Sequence, residues 1–372
     1  MGACAGKPTY PIMRMIIAGP SECGKTTIAK QMQIVNAEDP EQTFNIIQKD
    51  QFKNIIYMNI VERVMLATKK ERSRAKSTSE FEPENSSTTN ATSDSNGRAA
   101  TSRIPKYIKT IKKLSDQYTT VRDLEKILND EDFINDYQEE IEPIRYFVDD
   151  SDRILHPNYE PNLQDILRAR QRTTGVNVTT FHREVNKRKY DWELYDIGGQ
   201  VSERRKWPEI IRKNGVPALL YCVSIGDMEK RVQRDHSRVS TTISREITEE
   251  RDERSELVPM FDDAVQLYHS LLTQDYANTA SVIVFLNKTD LFDEKVKSGK
   301  IDMTKFPDFT GKSTPENGRQ YFRNLFSKIA SDCQKVVTIH ETCALDTEQA
   351  QMVVDSVTKD VIKSRLKHSG LE

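Results

Sequence analysis

The stretch that most constrains this chain runs from Met13 to Met32. An apolar segment, Met13 to Ala18, leads into Gly19-Pro20-Ser21-Glu22-Cys23-Gly24-Lys25-Thr26 and then into helix formers from Thr27 onward. Strand, glycine-bounded loop and helix in that order are the setting of a phosphate-binding loop. Gly19 and Gly24 permit backbone angles and close approaches that a Cβ blocks, so successive N–H groups can curl around a phosphate at a helix N-terminus. Lys25 is placed to reach the β and γ phosphates, and the Thr26 hydroxyl to bind Mg²⁺. The competing reading, a glycine turn that merely starts a helix, is disfavoured by the strand before it. The loop implies a nucleoside triphosphate without saying which one.

At 372 residues the chain has room for two hydrophobic cores. Lys+Arg 55 against Asp+Glu 57 leaves a net charge of −2, so nothing favours nucleic acid as a partner. Cys4, Cys23, Cys222, Cys333 and Cys343 are dispersed, without metal-ligand spacing, which predicts reduced thiols and a cytoplasmic location. No apolar run approaches the roughly 18 to 20 residues that span a bilayer, and no signal-peptide pattern opens the chain. The sequons at Asn85, Asn90, Asn177 and Asn287 carry no weight in that compartment. Gly2 and Cys4 are lipidation candidates, although Gly6 stands where Ser or Thr is usual; lipidation would bring peripheral contact with the inner face of the plasma membrane.

The first half reads as helix. Residues 25 to 36 continue the loop, and apolar positions at Phe44, Ile47, Phe52, Ile56, Ile60 and Val64 follow a 3.6 repeat. Charged Lys69 to Lys76 and the Ser/Thr/Asn-rich 77–103 are expected to break it, the latter as a disordered insertion. Helical patterning resumes over 104–160. About 125 residues of helix between the loop and the next strands are enough for a small domain.

The second half changes character, with strand-like segments at Thr179 to Glu184, Trp192 to Asp196, Ala218 to Ile225, Ser281 to Asn287 and Val336 to His340. Leu257, Phe261, Val265, Tyr268 and Leu272 form one apolar stripe, and the charged 228–256 reads as a solvated loop or frayed helix. Runs such as Val282-Ile283-Val284-Phe285-Leu286 suit a sheet covered on both faces, so the expected class is α/β: a doubly wound, mostly parallel sheet with its ligand at the strands' carboxyl ends.

Four further segments carry chemistry. Asn287-Lys288-Thr289-Asp290 follows a strand; the Asp290 carboxylate can accept from the N1–H and 2-amino group of guanine, which adenine lacks in that form, while Asn287 holds N7 and pins the loop. Cys343-Ala344, after the last strand, is the place for a backbone N–H to meet O6. In Asp196-Ile197-Gly198-Gly199-Gln200, Asp196 can orient Mg²⁺ through water, Gly199 can offer its N–H to the γ phosphate, and Gln200 can orient an attacking water. At the end of the helical stretch, Leu167-Arg168-Ala169-Arg170 leads to Thr173, which is placed to complete Mg²⁺ coordination, with Arg170 to neutralise phosphoryl charge. Together with Thr27, these complete the expected nucleotide site.

These motifs, with Asp152-Arg153-Ile154, Pro157-Asn158-Tyr159, Trp207 and the C-terminal Gly370-Leu371, resemble the alpha subunits of heterotrimeric G proteins over nearly the whole chain. The resemblance implies a Ras-like P-loop GTPase domain over 10–40 and 168–372, an inserted all-α domain over 41–167, and a flexible 1–9. It further implies GTP hydrolysis to GDP with Mg²⁺, switch segments at 170–176 and 197–210, a βγ partner for the GDP form, a seven-helix receptor contacted through the C-terminus, and an effector. This chain departs from the family's Gly-Ala-Gly-Glu-Ser-Gly-Lys-Ser at Ser21, which is expected to slow hydrolysis, and at Cys23. Val201 replaces an arginine, and the family's long N-terminal helix is largely missing, so weakened βγ binding is expected. Leu345 replaces a threonine, and Ser369 stands at a toxin-modified cysteine of some members. Two other readings stay open: a nucleotide-loaded binding protein with little GTPase activity, and an ATP-dependent enzyme, which Asn287 and Asp290 disfavour.

Overall fold

The computed structural model describes residues 10–79, 127–215, 218–233 and 257–368. The expectations placed on 1–9, with Gly2 and Cys4, and on 80–126, 234–256 and 369–371 lie outside the described residues. The chain divides into two compact units, one from residues 1–43 and 172–372, the other from 44–171.

In the first unit the described strands are β1 (Ile12–Ala18), β2 (Val176–Val185), β3 (Arg188–Ile197), β4 (Ala218–Ser224), β5 (Arg231–Gln233), β6 (Leu257–Pro259), β7 (Ser281–Asn287) and β8 (Val337–Thr342). Six form one sheet in the order β2-β3-β1-β4-β7-β8, parallel except for the β2–β3 hairpin; β5 and β6 make a separate antiparallel ribbon. The helices are α1 (Lys25–Val35), α2 (Trp207–Asn214), α3 (Met260–Leu272), α4 (Thr289–Lys297), α5 (Pro315–Asp332) and α6 (Thr347–His368).

Every residue of β4 is buried, as a strand covered on both faces requires. Because side chains alternate, Leu219, Tyr221 and Val223 join one core with Trp207, Phe261, Tyr268 and Phe326, while Ala218, Leu220 and Cys222 join another with Met15, Trp192, Phe285 and Val357. Truncating one of these aromatics to alanine costs about 3–5 kcal/mol. The parallel registers Ile17 with Asp196, Ala18 with Tyr221, Ser224 with Asn287 and Asn287 with Thr342 bring the carboxyl ends of five strands to one edge. Every motif of the first unit except Thr173 leaves the sheet there.

Three local expectations are corrected. β2 and β3 run longer than the sequence suggested, because pairing continues to a tight turn at Asn186 and Lys187, whose φ of 50 and 62° closes a two-residue hairpin. Residues 231–233, read as solvated loop or frayed helix, are strand β5, fixed by pairing with β6 and by the Met260 N–H donating to Lys230 O at 2.7 Å. Leu257 lies in β6 rather than on the stripe; Phe261, Val265, Tyr268 and Leu272 do line the buried side of α3.

The second unit holds the helix Ile46–Ser79 and short helices at Glu131–Asp136, Gln138–Ile141, Arg145–Asp149, Ser151–Ile154 and Leu163–Arg168. The long helix passes through Lys69 to Lys76, where the apolar 3.6 repeat stops: Lys, Glu, Arg and Ala are all strong helix formers, so losing the apolar stripe does not end the helix. Ile56, Ile60, Val64, Phe133, Phe147 and Ile154 build its own core. Asp165 is fully buried and saturated, accepting from Arg153 Nη1 and Nη2 at 2.8 and 2.9 Å, Tyr146 Oη at 2.9 Å and the Asn162 N–H at 3.0 Å. Burial pushes its carboxyl up, but those donors outweigh it and hold the group below its ordinary value.

Candidate functional site

The loop after β1 turns through left-handed backbone at Glu22 and Gly24, with φ of 63 and 102°. A Cβ on Gly24 would collide with Asn287 Nδ2, so only glycine lets the loop lie against the end of β7. Asn287 Nδ2 donates to Cys23 O at 2.8 Å and Cys222 Sγ donates to the same oxygen at 3.1 Å, stapling the loop to β7 and β4. Lys25 is buried beneath the loop, its Nζ donating to Gly19 O and Pro20 O at 3.1 and 2.6 Å.

At the start of α1 the Thr26 hydroxyl donates to Asp196 Oδ2 at 2.6 Å and lies 2.9 Å from Thr173 Oγ1. Asp196 is 1% exposed, and its Oδ1 has no hydrogen-bond partner among the described residues. Burial raises its carboxyl above the ordinary value despite Thr26, Lys25 and Thr173. Two hydroxyls and one carboxylate, one of whose oxygens is orphaned, form a hard-oxygen set that suits Mg²⁺. Among the described residues no three His, Cys, Asp or Glu side chains gather as a metal cage, so phosphate oxygens would have to complete the shell. One turn along α1, burial pulls Lys30 down to about 8 against the opposing charge of Asp196.

Ile197 ends β3, and Gly198-Gly199-Gln200 then folds back over the loop. A Cβ on Gly199 would stand 2.6 Å from Gly19 O and 2.7 Å from Pro20 O, and would overlap Lys25 Nζ. Two buried donors fix this turn: Trp207 Nε1 to Gly198 O and Arg204 Nε to Gly199 O, both at 2.9 Å. Arg204 is in turn clamped by Asp263 of α3 through bonds of 2.6 and 2.7 Å. Gln200 is exposed, just before the one-turn helix Val201–Arg204.

At the end of β7, Asn287 Oδ1 accepts from the Ala344 N–H at 3.1 Å and Thr342 Oγ1 at 3.2 Å, joining the Cys343-Ala344 loop to the phosphate loop. Lys288 takes a left-handed φ of 60° and donates from Nζ to Asp227 Oδ2 at 2.6 Å. Burial pushes the Asp227 carboxyl up, yet Lys288 and Lys230 hold it well below the usual carboxylate range. Thr289 Oγ1 donates to Thr342 O at 3.3 Å, and the Cys343 N–H donates to Gln349 Oε1. Asp290 is exposed in the first turn of α4; burial, then its carboxylate, push the Cys343 thiol up to about 11.

The structure therefore brings Gly19 to Thr27, Thr173, Asp196 to Gln200, Asn287 to Asp290 and Cys343-Ala344 to one edge of the first unit. Leu167, Arg168, Ala169 and Arg170 belong to the second unit. There the Arg170 N–H donates to Asn59 Oδ1 at 2.7 Å while Asn59 Nδ2 donates to Arg170 O at 2.8 Å, and the Arg168 guanidinium lies 4.2 Å from the Tyr146 ring centre. Sequence reasoning missed Asp227 and Asp263. The signal at Asp263 is an acidic pair, Asp262-Asp263, on the mostly apolar buried side of α3; Asp227 carries none, since its meaning depends on Lys288.

A parallel-sheet fold carrying a phosphate loop and Asn-Lys-x-Asp at its carboxyl edge, with an inserted helical unit, defines a Ras-like P-loop nucleotide-binding protein. The family model of the G-protein alpha subunit matches residues 5–362, and the chain belongs to that family. It is accordingly a guanine-nucleotide-binding signalling protein. Members of the family generally hydrolyse GTP and interact with βγ and receptors. No helix among the described residues is long and apolar enough to cross a membrane.

Proposed function

We propose that this chain is a Mg²⁺-dependent GTPase switch that couples a seven-helix receptor, through its C-terminus, to an effector. The observation that carries this reading is the meeting of Thr26, Thr173 and the half-satisfied Asp196 carboxylate beside the Lys25 ammonium. Thr26 and Thr173 would hold Mg²⁺, with Asp196 acting through water; the bound ion would offset charge on the phosphate oxygens. Lys25 leaves the carbonyls of Gly19 and Pro20 for the β and γ phosphates, the Gly199 N–H faces the γ phosphate, and Gln200 orients water for in-line attack. Arg170 would neutralise charge on the transferring group. Asn287 to Asp290 with Cys343 and Ala344 select guanine. The switch segments are ordered by the γ phosphate and relax on hydrolysis. Val201 favours a weakened grip by βγ, and acylation at Gly2 or Cys4 would give peripheral membrane contact.

Single-turnover GTP hydrolysis with Mg²⁺, beside a Gln200→Leu control, tests the proposal. A rate that depends on Gln200 is expected. Guanine-nucleotide binding without such a rate would instead favour the nucleotide-loaded binding protein.

A further inference from the structure

Cys23 and Cys222 are both completely buried, one in the phosphate loop and the other in β4, 199 positions away. They meet because β1 and β4 pair in parallel with Ala18 opposite Tyr221, so the loop leaving β1 folds across the end of β4. The Cys222 thiol donates to Cys23 O at 3.1 Å. Lys25 Nζ lies 3.8 Å from Cys23 Sγ.

We propose that Cys23 and Cys222 are a site of reversible oxidative modification, closing to a disulfide that ties the phosphate loop to β4. Electrostatics divides the labour. Burial pushes both thiols up, but at Cys23 the neighbouring Cys222 and the Lys25 ammonium, 3.8 Å from its sulfur, outweigh it, whereas Cys222, which faces no such cation contact in the same range among the described residues, stays well above the ordinary thiol value. Cys23 is the nucleophile, and Cys222 keeps its proton until the second step.

With hydrogen peroxide as oxidant, the Cys23 thiolate attacks one peroxide oxygen; an S–O bond forms, the O–O bond breaks, and the departing hydroxide takes a proton to leave as water. Cys222 then attacks the sulfur of the Cys23 sulfenic acid. The S–S bond forms, the S–O bond breaks, and the hydroxyl leaves with the Cys222 proton as a second water. Two thiols and one peroxide become one disulfide and two waters, the peroxide accepting both electrons.

Drawing the sulfurs to roughly 2 Å removes the S–H donor that holds Cys23 O and shifts the loop against β4. On the nucleotide reading above, this misplaces the loop's amides and weakens the grip on phosphate. Because both thiols are closed to solvent, oxidation waits on opening of the loop, and bound nucleotide protects.

The test uses the full chain, reduced and then exposed to hydrogen peroxide with and without GDP and Mg²⁺, followed by alkylation and peptide mapping without reduction. The expected product joins the Cys23 and Cys222 peptides, is lighter by two hydrogens, and is reversed by dithiothreitol. It should form about tenfold more slowly with nucleotide bound and be absent from Cys23→Ser and from Cys222→Ala. GDP release from the cross-linked protein should be about tenfold faster and return on reduction. Full alkylation of both residues after peroxide, or pairing of either with Cys333 or Cys343, would overturn the proposal; unchanged GDP release would overturn the displacement of the loop. Failure of the reduced protein to bind GDP would overturn the nucleotide reading instead, leaving the cross-link assay readable.

Discussion

Replacing Asp263 with alanine should destabilise the first unit and loosen the turn that follows β3. Asp263 and Arg204 are buried, with side chains 3 and 6% exposed, and are joined by two short hydrogen bonds. Removing the carboxylate takes two hydrogen bonds and the facing negative charge from a buried guanidinium, at a cost of about 3–5 kcal/mol. For a unit of this size each kcal/mol lowers Tm by roughly 2–4 °C, so a fall of roughly 6–20 °C is expected. The assay is thermal unfolding at fixed, saturating GDP, because nucleotide linkage would otherwise move Tm by mass action. The double change Arg204→Met with Asp263→Leu, which removes both charges, should regain most of the loss, since a buried pair is often no better than apolar residues of similar volume. It should not regain GTP hydrolysis, because Gly199 O would still lack the Arg204 Nε donor. A Tm within about 2 °C of the parent for Asp263→Ala alone would refute the argument.

Three other outcomes follow from the same geometry. Asn287→Ala unfastens the phosphate loop from the Ala344 loop by removing three buried hydrogen bonds, and GDP release measured by fluorescent-nucleotide chase should rise at least about tenfold. Ser21→Gly should hydrolyse GTP faster than the parent in single turnover, and equal rates would remove the steric account of Ser21. Lys288 and Lys230 depress the Asp227 carboxyl, so its contribution to stability is present above the unfolded value and is lost as pH falls through the lower folded one. Asp227→Asn should therefore melt below the parent at neutral pH, with a gap that holds down to about pH 5 and closes in more acid solution; a gap that widens there would reverse the sign.

Much of the candidate site can be read from consecutive residues. On the proposed reading phosphate would be held by successive backbone N–H groups and guanine by neighbouring side chains, so Gly19 to Thr26, Asp196 to Gln200 and Asn287 to Asp290 each suggest their chemistry within a few positions. The near-continuous apolar strands and the long helical interval announced the α/β class and the insert in the same way. Periodicity misleads in two places: the helix continues past Lys69 through strong helix formers after its apolar repeat stops, and β5 is strand because β6 pairs with it.

Tertiary structure decided which distant group completes each motif. Arg204 meets Asp263 across 59 positions, Lys288 meets Asp227 across 61, and Cys222 meets Cys23 across 199. No periodicity in the chain relates these residues. Their meeting is fixed by the order and register of parallel strands, which bring five carboxyl ends to one edge, and by burial, which makes each resulting contact strong enough to hold a loop in place.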